Sequence, residues 1–301
     1  MPITFSKSEL NAAGKRVSEV FEISYPYRNS KLKPVSQERL LKFAMPTVDL
    51  DALVKSTYGA MEKYGSWDYR IGMQDDQVKR DSGYGGIGLT YNPDHTEFEG
   101  TDLHEQVQGN PRPAQGLSNP FTKFLDPKEN KIYSLPNSYY DTYALSYRTP
   151  ASQFEYLGKF LNSCKRTMIR SAVRIIYADR PGQVGEEKLA GVRWHRDESM
   201  FENLRVNIPL VTDPIFVLEQ EGYPPEHLEA GYAYSWDTDL LHCAYATEKQ
   251  PKHRIHLMLG FSCWWDFDEV SGAWTQNEFF GKKHPKDMLI DGDVIPGLQL
   301  I

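Results

Sequence analysis

The spacing of apolar positions changes along the chain. Early on it is helical. Ser36-Gln-Glu-Arg-Leu-Leu-Lys-Phe-Ala predicts a short helix ending before Pro46, because the residue preceding a proline is pushed out of the helical region. Leu50 to Tyr64 predicts a second helix, with Leu53, Tyr58 and Met61 among its apolar positions and Gly65 as its stop. Residues 66 to about 130 are rich in Gly, Pro, Asn and Asp and show no period, as expected of a functional cover or of plain scaffold. From about residue 131 the pattern shortens. Tyr143, Leu145 and Tyr147 alternate with Thr142, Ala144 and Ser146, which predicts a strand, and Ala151 to Cys164 carries Phe154, Leu157, Phe160 and Leu161 at helical spacing. Short β-like runs follow at Thr167–Ala178, Leu204–Leu210, Ile215–Glu219, Tyr232–Trp236 and Ile255–Trp265. Asp213-Pro214, Gly222, Pro224-Pro225 and Gly231 punctuate them. Many short strands separated by turn residues predict a sandwich or barrel under a helical N-terminal part, an α+β chain that is mainly β.

Composition narrows the class. The 301 residues are 40% hydrophobic and 25% charged, a globular balance with enough apolar material for one sizeable core. Lys plus Arg number 34 against 41 Asp plus Glu, for a net charge of −7. That lacks the basic footprint of a protein held by phosphate contacts, so no nucleic-acid partner is expected. Cys164, Cys243 and Cys263 are odd in number and widely spaced, which indicates neither a disulfide framework nor a thiolate zinc site. The opening MPITFSKSELNAAGKR has no apolar signal core, and no apolar run is long enough to span a bilayer. A cytoplasmic protein without a membrane partner is therefore expected.

One motif is a decoy. Gly83-Tyr-Gly85-Gly-Ile-Gly88 matches the dinucleotide fingerprint G-x-G-x-x-G, but no apolar strand precedes it and Asn92-Pro93 follows without helical spacing. A glycine-rich turn or hairpin is the better reading.

The chemistry lies further on. In Arg193-Trp-His195-Arg-Asp197-Glu-Ser, His195 and Asp197 stand two apart, so on an extended segment both point to one face. A second imidazole, His242, follows about 45 residues on. Two imidazoles and a carboxylate on one side of an octahedron leave three positions open, which suits non-haem Fe(II). His253 and His256 compete for the third place, but either would leave His242 without a role. Twelve residues after His242, Arg254 opens the run Arg254-Ile-His-Leu-Met-Leu-Gly-Phe. Its permanently charged fork suits the distal carboxylate of a dicarboxylic co-substrate.

With these residues in place, the stretch from about Met168 to Asp266 resembles the Fe(II)/2-oxoglutarate-dependent oxygenases, and within them the aspartyl/asparaginyl β-hydroxylase-like branch. His195-Arg-Asp197, Leu204-Arg205-Val-Asn-Ile-Pro-Leu, Gly231 through Trp236-Asp237, His242 and Arg254-Ile-His-Leu carry the resemblance, which covers about a third of the chain. It implies a double-stranded β-helix of the jelly-roll, cupin-like kind. It also implies His195, Asp197 and His242 as iron ligands, Arg254 on the far carboxylate of 2-oxoglutarate, and Arg205 near that co-substrate. The implied enzyme is a dioxygenase that uses Fe(II), 2-oxoglutarate and O2 and releases succinate and CO2, with the chemistry centred on iron and no separate catalytic side chain. The animal aspartyl hydroxylases lack the carboxylate ligand, whereas this chain has Asp197. They also carry a His where this chain has Asn207.

The expected organisation is a single domain over residues 1–301. A helical and irregular cover with a candidate lid reaches about residue 130, the β core runs from about 131 to 275, and 276–301 form a tail. The acidic surface and the candidate cavity arginines Arg174, Arg193 and Arg205 suit a small carboxylate-bearing metabolite or a free amino acid. Arg174 and Arg193 could instead meet surface carboxylates, and Arg205 could be a paired barrel arginine. Glu198 is expected to be solvated, Trp264-Trp265 to be core, and Cys243 to be a small buried residue. Other functions open to the same residues are a peptide or protein side-chain hydroxylase, a non-catalytic metal-binding sensor, and a zinc hydrolase, which would have no use for Arg254.

Overall fold

Short strands without intervening helices can satisfy their backbone groups only by pairing across the sequence, and among the described residues all of that pairing is antiparallel. The computed structural model describes residues 4–6, 31–64, 67–71, 80–91, 143, 145–180, 182, 184 and 189–301; of residues 4–6, 67–71, 80–82, 84 and 193 it describes the backbone only. In order come β1 (Thr4–Ser6), β2 (Leu40–Ala44), α1 (Leu50–Tyr64), β3 (Trp67–Ile71), β4 (Arg80–Gly88), β5 (Thr90–Tyr91) and β6 (Tyr147–Arg148). A 3-10 turn (Pro150–Gln153) leads into α2 (Glu155–Ser163). The central strands are β7 (Thr167–Tyr177), β8 (Gly191–His195), β9 (Leu204–Val211), β10 (Phe216–Gln220), β11 (Glu226–His227), β12 (Tyr232–Trp236), β13 (His242–Ala246) and β14 (His253–Ser262). β15 (Trp265–Asp268), β16 (Ala273–Gln276), α3 (Pro285–Ile290) and β17 (Gln299–Leu300) end the chain.

The eight strands β7 to β14 form a double-stranded β-helix. Four of them, in the order β7-β14-β9-β12, make the middle of an eight-stranded sheet, and the other four make a second sheet ordered β8-β13-β10-β11. Apart from the hairpin β10–β11, each successive strand crosses from one sheet to the other, which is the jelly-roll connectivity. β4 and β3 extend the large sheet beyond β7, and β2 and β17 extend it beyond β12.

Alternation along β14 shows how the sequence sorts the two faces. Ile255, Leu257, Leu259 and Phe261 join the main core with Val173, Ile175, Val206 and Ile208, against Leu53 of α1 and Leu157 of α2. Each such buried aliphatic side chain contributes about 1.5–3 kcal/mol. The alternate residues Arg254, His256 and Met258 point toward the small sheet. On the same face, Ile176, opposite Arg254, packs with Phe216 and Ala246, while Tyr234 and Trp236 pack with Leu218. The inner face of the barrel is thus unusually polar, and the apolar core lies outside it.

Several expectations change. Ser36–Ala44 is not a helix: Leu40–Ala44 is β2, paired with β12 along its whole length, with Leu41 and Phe43 buried. A five-residue apolar run fits either period, and a partner nearly two hundred residues away decides it. α1 has the expected limits, but Tyr58 is exposed and bonds His253, while the buried stripe is Leu53, Ser56, Thr57 and Ala60. Small residues suit that stripe because α1 presses on α2: a Cβ on Gly59 would lie 2.7 Å from the Phe154 ring. Ser56 also donates to the Phe154 carbonyl and accepts from Leu157 N–H, both at 2.9 Å, supplying the cap that Phe154 cannot.

The strand expected around Tyr143–Tyr147 is limited to Tyr147–Arg148, which pairs with β5. The run Ile255–Trp265 is two strands, β14 and β15. Gly83–Gly88 lies in β4, where Gly86 faces Arg174 and any Cβ on it would fall 2.0 Å from the Val173 carbonyl oxygen, so these glycines serve close strand pairing. The tail folds back, α3 placing Met288 and Leu289 in the core and β17 pairing with β2. Gly65 and most of residues 66–130, the candidate lid, lie outside the described residues. Among the described residues no helix is long and apolar enough to cross a membrane.

Candidate metal centre

β8 and β13 are neighbours in the small sheet, and their register sets His195 directly opposite His242. The two rings lie 4.4 Å apart between centroids. Asp197, two residues beyond the end of β8, is held back against the sheet because its N–H donates to the Thr238 carbonyl at 2.9 Å. One donor atom from each of His195, Asp197 and His242 lies within 4.8 Å of the others. His195 Nε2 and Asp197 Oδ2 are 3.8 Å apart. His242 opens β13.

Two of the three donors are prepared by their surroundings. The His242 Nδ1–H donates to the Leu240 carbonyl at 2.7 Å, which leaves Nε2 with its lone pair free to ligate. Burial, and then the neighbouring His195 ring, hold His242 below the usual imidazole range, so it is a neutral base at pH 7. Burial pushes the Asp197 carboxyl up and Glu198 adds to it, but Arg205, Arg170 and His195 together outweigh them, so the net shift is downward and the group is a carboxylate. Two imidazoles and one carboxylate are a donor set that fits a divalent first-row metal with open positions.

The arginines divide. Arg205 on β9 is 2% exposed, and its Nη2 lies 3.2 Å from Glu198 Oε2 and 4.0 Å from Asp197 Oδ2. Glu198 is therefore not the solvated acid its position suggested: it is largely buried and pairs with Arg170 as well. Arg254 and Arg174 lie on the inner face of the large sheet, 2% and 6% exposed. His256, opposite Arg174 in the β7–β14 pairing, is kept neutral by burial and by these two guanidiniums. His253 sits near the surface with its Nε2 on the Tyr58 hydroxyl at 2.8 Å. The structure thus groups neither His253 nor His256 with His195 and Asp197. Asn207 is buried on the inner face opposite Tyr234 and Met258. The Arg193 backbone lies in β8, and its side chain lies outside the described residues. Trp264, Trp265 and Cys243 are fully buried, and burial pushes the Cys243 thiol up to about 12.

Sequence reasoning missed three residues that build this centre: Arg170, Thr238 and Leu240. Thr238 Oγ1 donates to the Glu198 carbonyl at 2.7 Å, joining the two ligand-bearing loops. For Leu240, and for the Thr238 carbonyl that holds the Asp197 N–H, no sequence signal exists, because those contacts are made through backbone atoms. For Arg170 there was one: arginines at 170 and 174, two strand periods apart in the otherwise apolar run Thr167–Ala178, mark a polar inner face.

No protein-family model and no curated protein matches the chain. Among solved structures it is similar to the non-haem α-ketoglutarate-dependent epimerase SnoN from nogalamycin biosynthesis, at 11% identity and TM-score 0.34 over 81% of this chain and 83% of that one. The non-haem α-ketoglutarate-dependent carbocyclase SnoK from nogalamycin biosynthesis matches at 12% and 0.35 over 91% and 93%. A Pseudomonas putida prolyl-4-hydroxylase matches at 11% and 0.36 over 84% and 98%. Likeness at this level says nothing of substrate; the double-stranded β-helix itself rests on the strand order of the two sheets.

Proposed function

We propose that the chain is a non-haem Fe(II)- and 2-oxoglutarate-dependent oxygenase of the aspartyl/asparaginyl β-hydroxylase-like branch. It hydroxylates an unactivated C–H bond of a small carboxylate-bearing metabolite or a free amino acid. The observation that carries this reading is the meeting of His195, Asp197 and His242 at one end of a double-stranded β-helix whose inner face also holds the buried Arg254. Iron with 2-oxoglutarate and O2 supplies the oxidising chemistry, releasing succinate and CO2.

The side chains supply the rest. His195 and His242 would ligate through ring nitrogens, and the Leu240 carbonyl fixes the His242 ring so that it presents Nε2. Asp197 brings the single negative charge. Arg254 would hold the distal carboxylate of 2-oxoglutarate through its planar guanidinium fork, which a lysine does not offer. Arg174 and Arg193 are assigned to the substrate carboxylate. A hydrolytic zinc site would leave Arg254 unused, and a retired sensor would have no reason to keep all four groups.

The test is anaerobic visible absorption of the protein with Fe(II) and then 2-oxoglutarate, followed by succinate release in air. A weak charge-transfer band in the green, lost in His242→Ala, is expected. Iron binding without a band refutes the co-substrate assignment, and absence of iron binding refutes the metal centre. Arg254→Ala should weaken 2-oxoglutarate binding at least tenfold; unchanged affinity removes that assignment.

A further inference from the structure

Behind Asp197 lies a chain of charges that the proposed function leaves unused. Arg205 stands between two carboxylates, 3.2 Å from Glu198 and 4.0 Å from Asp197. Its Nη1 also donates to the Arg170 carbonyl at 3.4 Å, and with the amide of fully buried Asn203 assigned so that its oxygen faces Arg205, Nε donates to it at 2.9 Å. Glu198 in turn pairs with Arg170, the two side chains 13% and 16% exposed. Two guanidiniums and two carboxylates thus neutralise one another, and the nearer carboxylate to Arg205 is Glu198.

The backbone is bent to allow this. Arg170 is not glycine, yet its φ is +41°, at an irregularity in the β7–β14 register between Met258 and Gly260. A bulge re-aims side chains, and a left-handed conformation at such a residue costs free energy that the surrounding contacts must offset. Glu198 is pinned as well, its carbonyl held by Thr238, whose own carbonyl holds the Asp197 N–H.

A guanidinium free to face a carboxylate closes on it through two parallel bonds and occupies both oxygens. An aspartate closed in that way offers a metal only the lone pairs that the two bonds leave, with much of its charge already neutralised, and so ligates more weakly. We infer that Glu198 is a positioning residue that draws the Arg205 guanidinium away from Asp197, leaving the aspartate open to ligate the metal. This rests on the metal centre proposed above and concerns a residue that touches neither metal nor substrate. Arg170 anchors Glu198 from the other side.

The test is Mn(II) affinity of the metal-free full-length protein, read from the electron paramagnetic resonance of free Mn(II), with thermal melts to verify folding. Glu198→Gln should bind Mn(II) at least tenfold more weakly than the wild type, because Arg205 then forks onto Asp197. Adding Arg205→Met to that variant should restore most of the affinity, a rescue that loss of packing could not produce. Folded Glu198→Gln with wild-type affinity, or a double variant no better than the single one, overturns the inference and leaves the metal centre standing. A wild-type protein that does not bind Mn(II) overturns both. Should Glu198→Gln fail to fold, Arg205→Lys decides: an ammonium cannot form the two-pronged pair, so affinity at or above wild type is expected. A tenfold loss there overturns the inference.

Discussion

His284 is an acid-sensitive point away from the metal centre. It caps α3, its Nδ1 accepting from Lys286 N–H at 3.1 Å, and its ring packs edge-on against Phe201 at 4.7 Å. Burial brings its pKa down from 6.5 to about 4, Asp287 opposing and Lys286 adding. The folded-state value is the lower one, so the stability contributed by the neutral ring is whole above 6.5 and is lost as the pH falls toward 4. A shift of that size corresponds to about 3 kcal/mol in full, of which about 2 kcal/mol is gone near pH 5. Urea unfolding of wild type and His284→Asn at about pH 7.5 and about pH 5 measures it. The asparagine oxygen can still accept from Lys286 N–H, so the cap survives while the titrating group goes. Other acid-sensitive groups, His256 among them, are common to both proteins and cancel in the difference. The wild type should lose about 2 kcal/mol more than the variant between the two conditions. Parallel losses would show that the ring is protonated in the fold without penalty, and the reasoning from burial would be wrong.

Three further outcomes follow from packing. Gly86→Ala places a Cβ 2.0 Å from a backbone oxygen that cannot retreat without parting β4 from β7, so it should lower stability by at least about 2 kcal/mol in chemical denaturation. Ser56→Ala strands the buried Leu157 N–H at the start of α2 and should cost about 1–2 kcal/mol, with Ser56→Thr closer to wild type. Leu257→Ala, at a fully buried position between β7 and β9, should cost about 2–5 kcal/mol without altering metal affinity, which a parallel Mn(II) titration checks.

What the sequence made legible were features set by near neighbours. α1 showed its limits because fifteen residues carry a sustained helical period, and β12 showed its own because Gly231, with φ of +84°, and Asp237 bracket a five-residue run. The pair His195 and Asp197 was legible from a two-residue spacing, and Trp264-Trp265 from bulk alone. Leu40–Ala44 was misread because only β12 and β17, both far along the chain, decide its conformation. β13 went unseen because His-Cys-Ala-Tyr-Ala has little strand signal, and becomes a strand by lying between β10 and β8. Glu198 was misjudged for the same reason, since Arg170 and Arg205 reach it from two other strands. The metal centre depends on both kinds of information. Spacing along the chain supplies His195 and Asp197, but His242 joins them only through the His242–His195 register, a pairing between strands more than forty residues apart. A chain that kept all three donors and slipped this register by one residue would turn His242 to the other side of the small sheet. It would then carry the motif without the site.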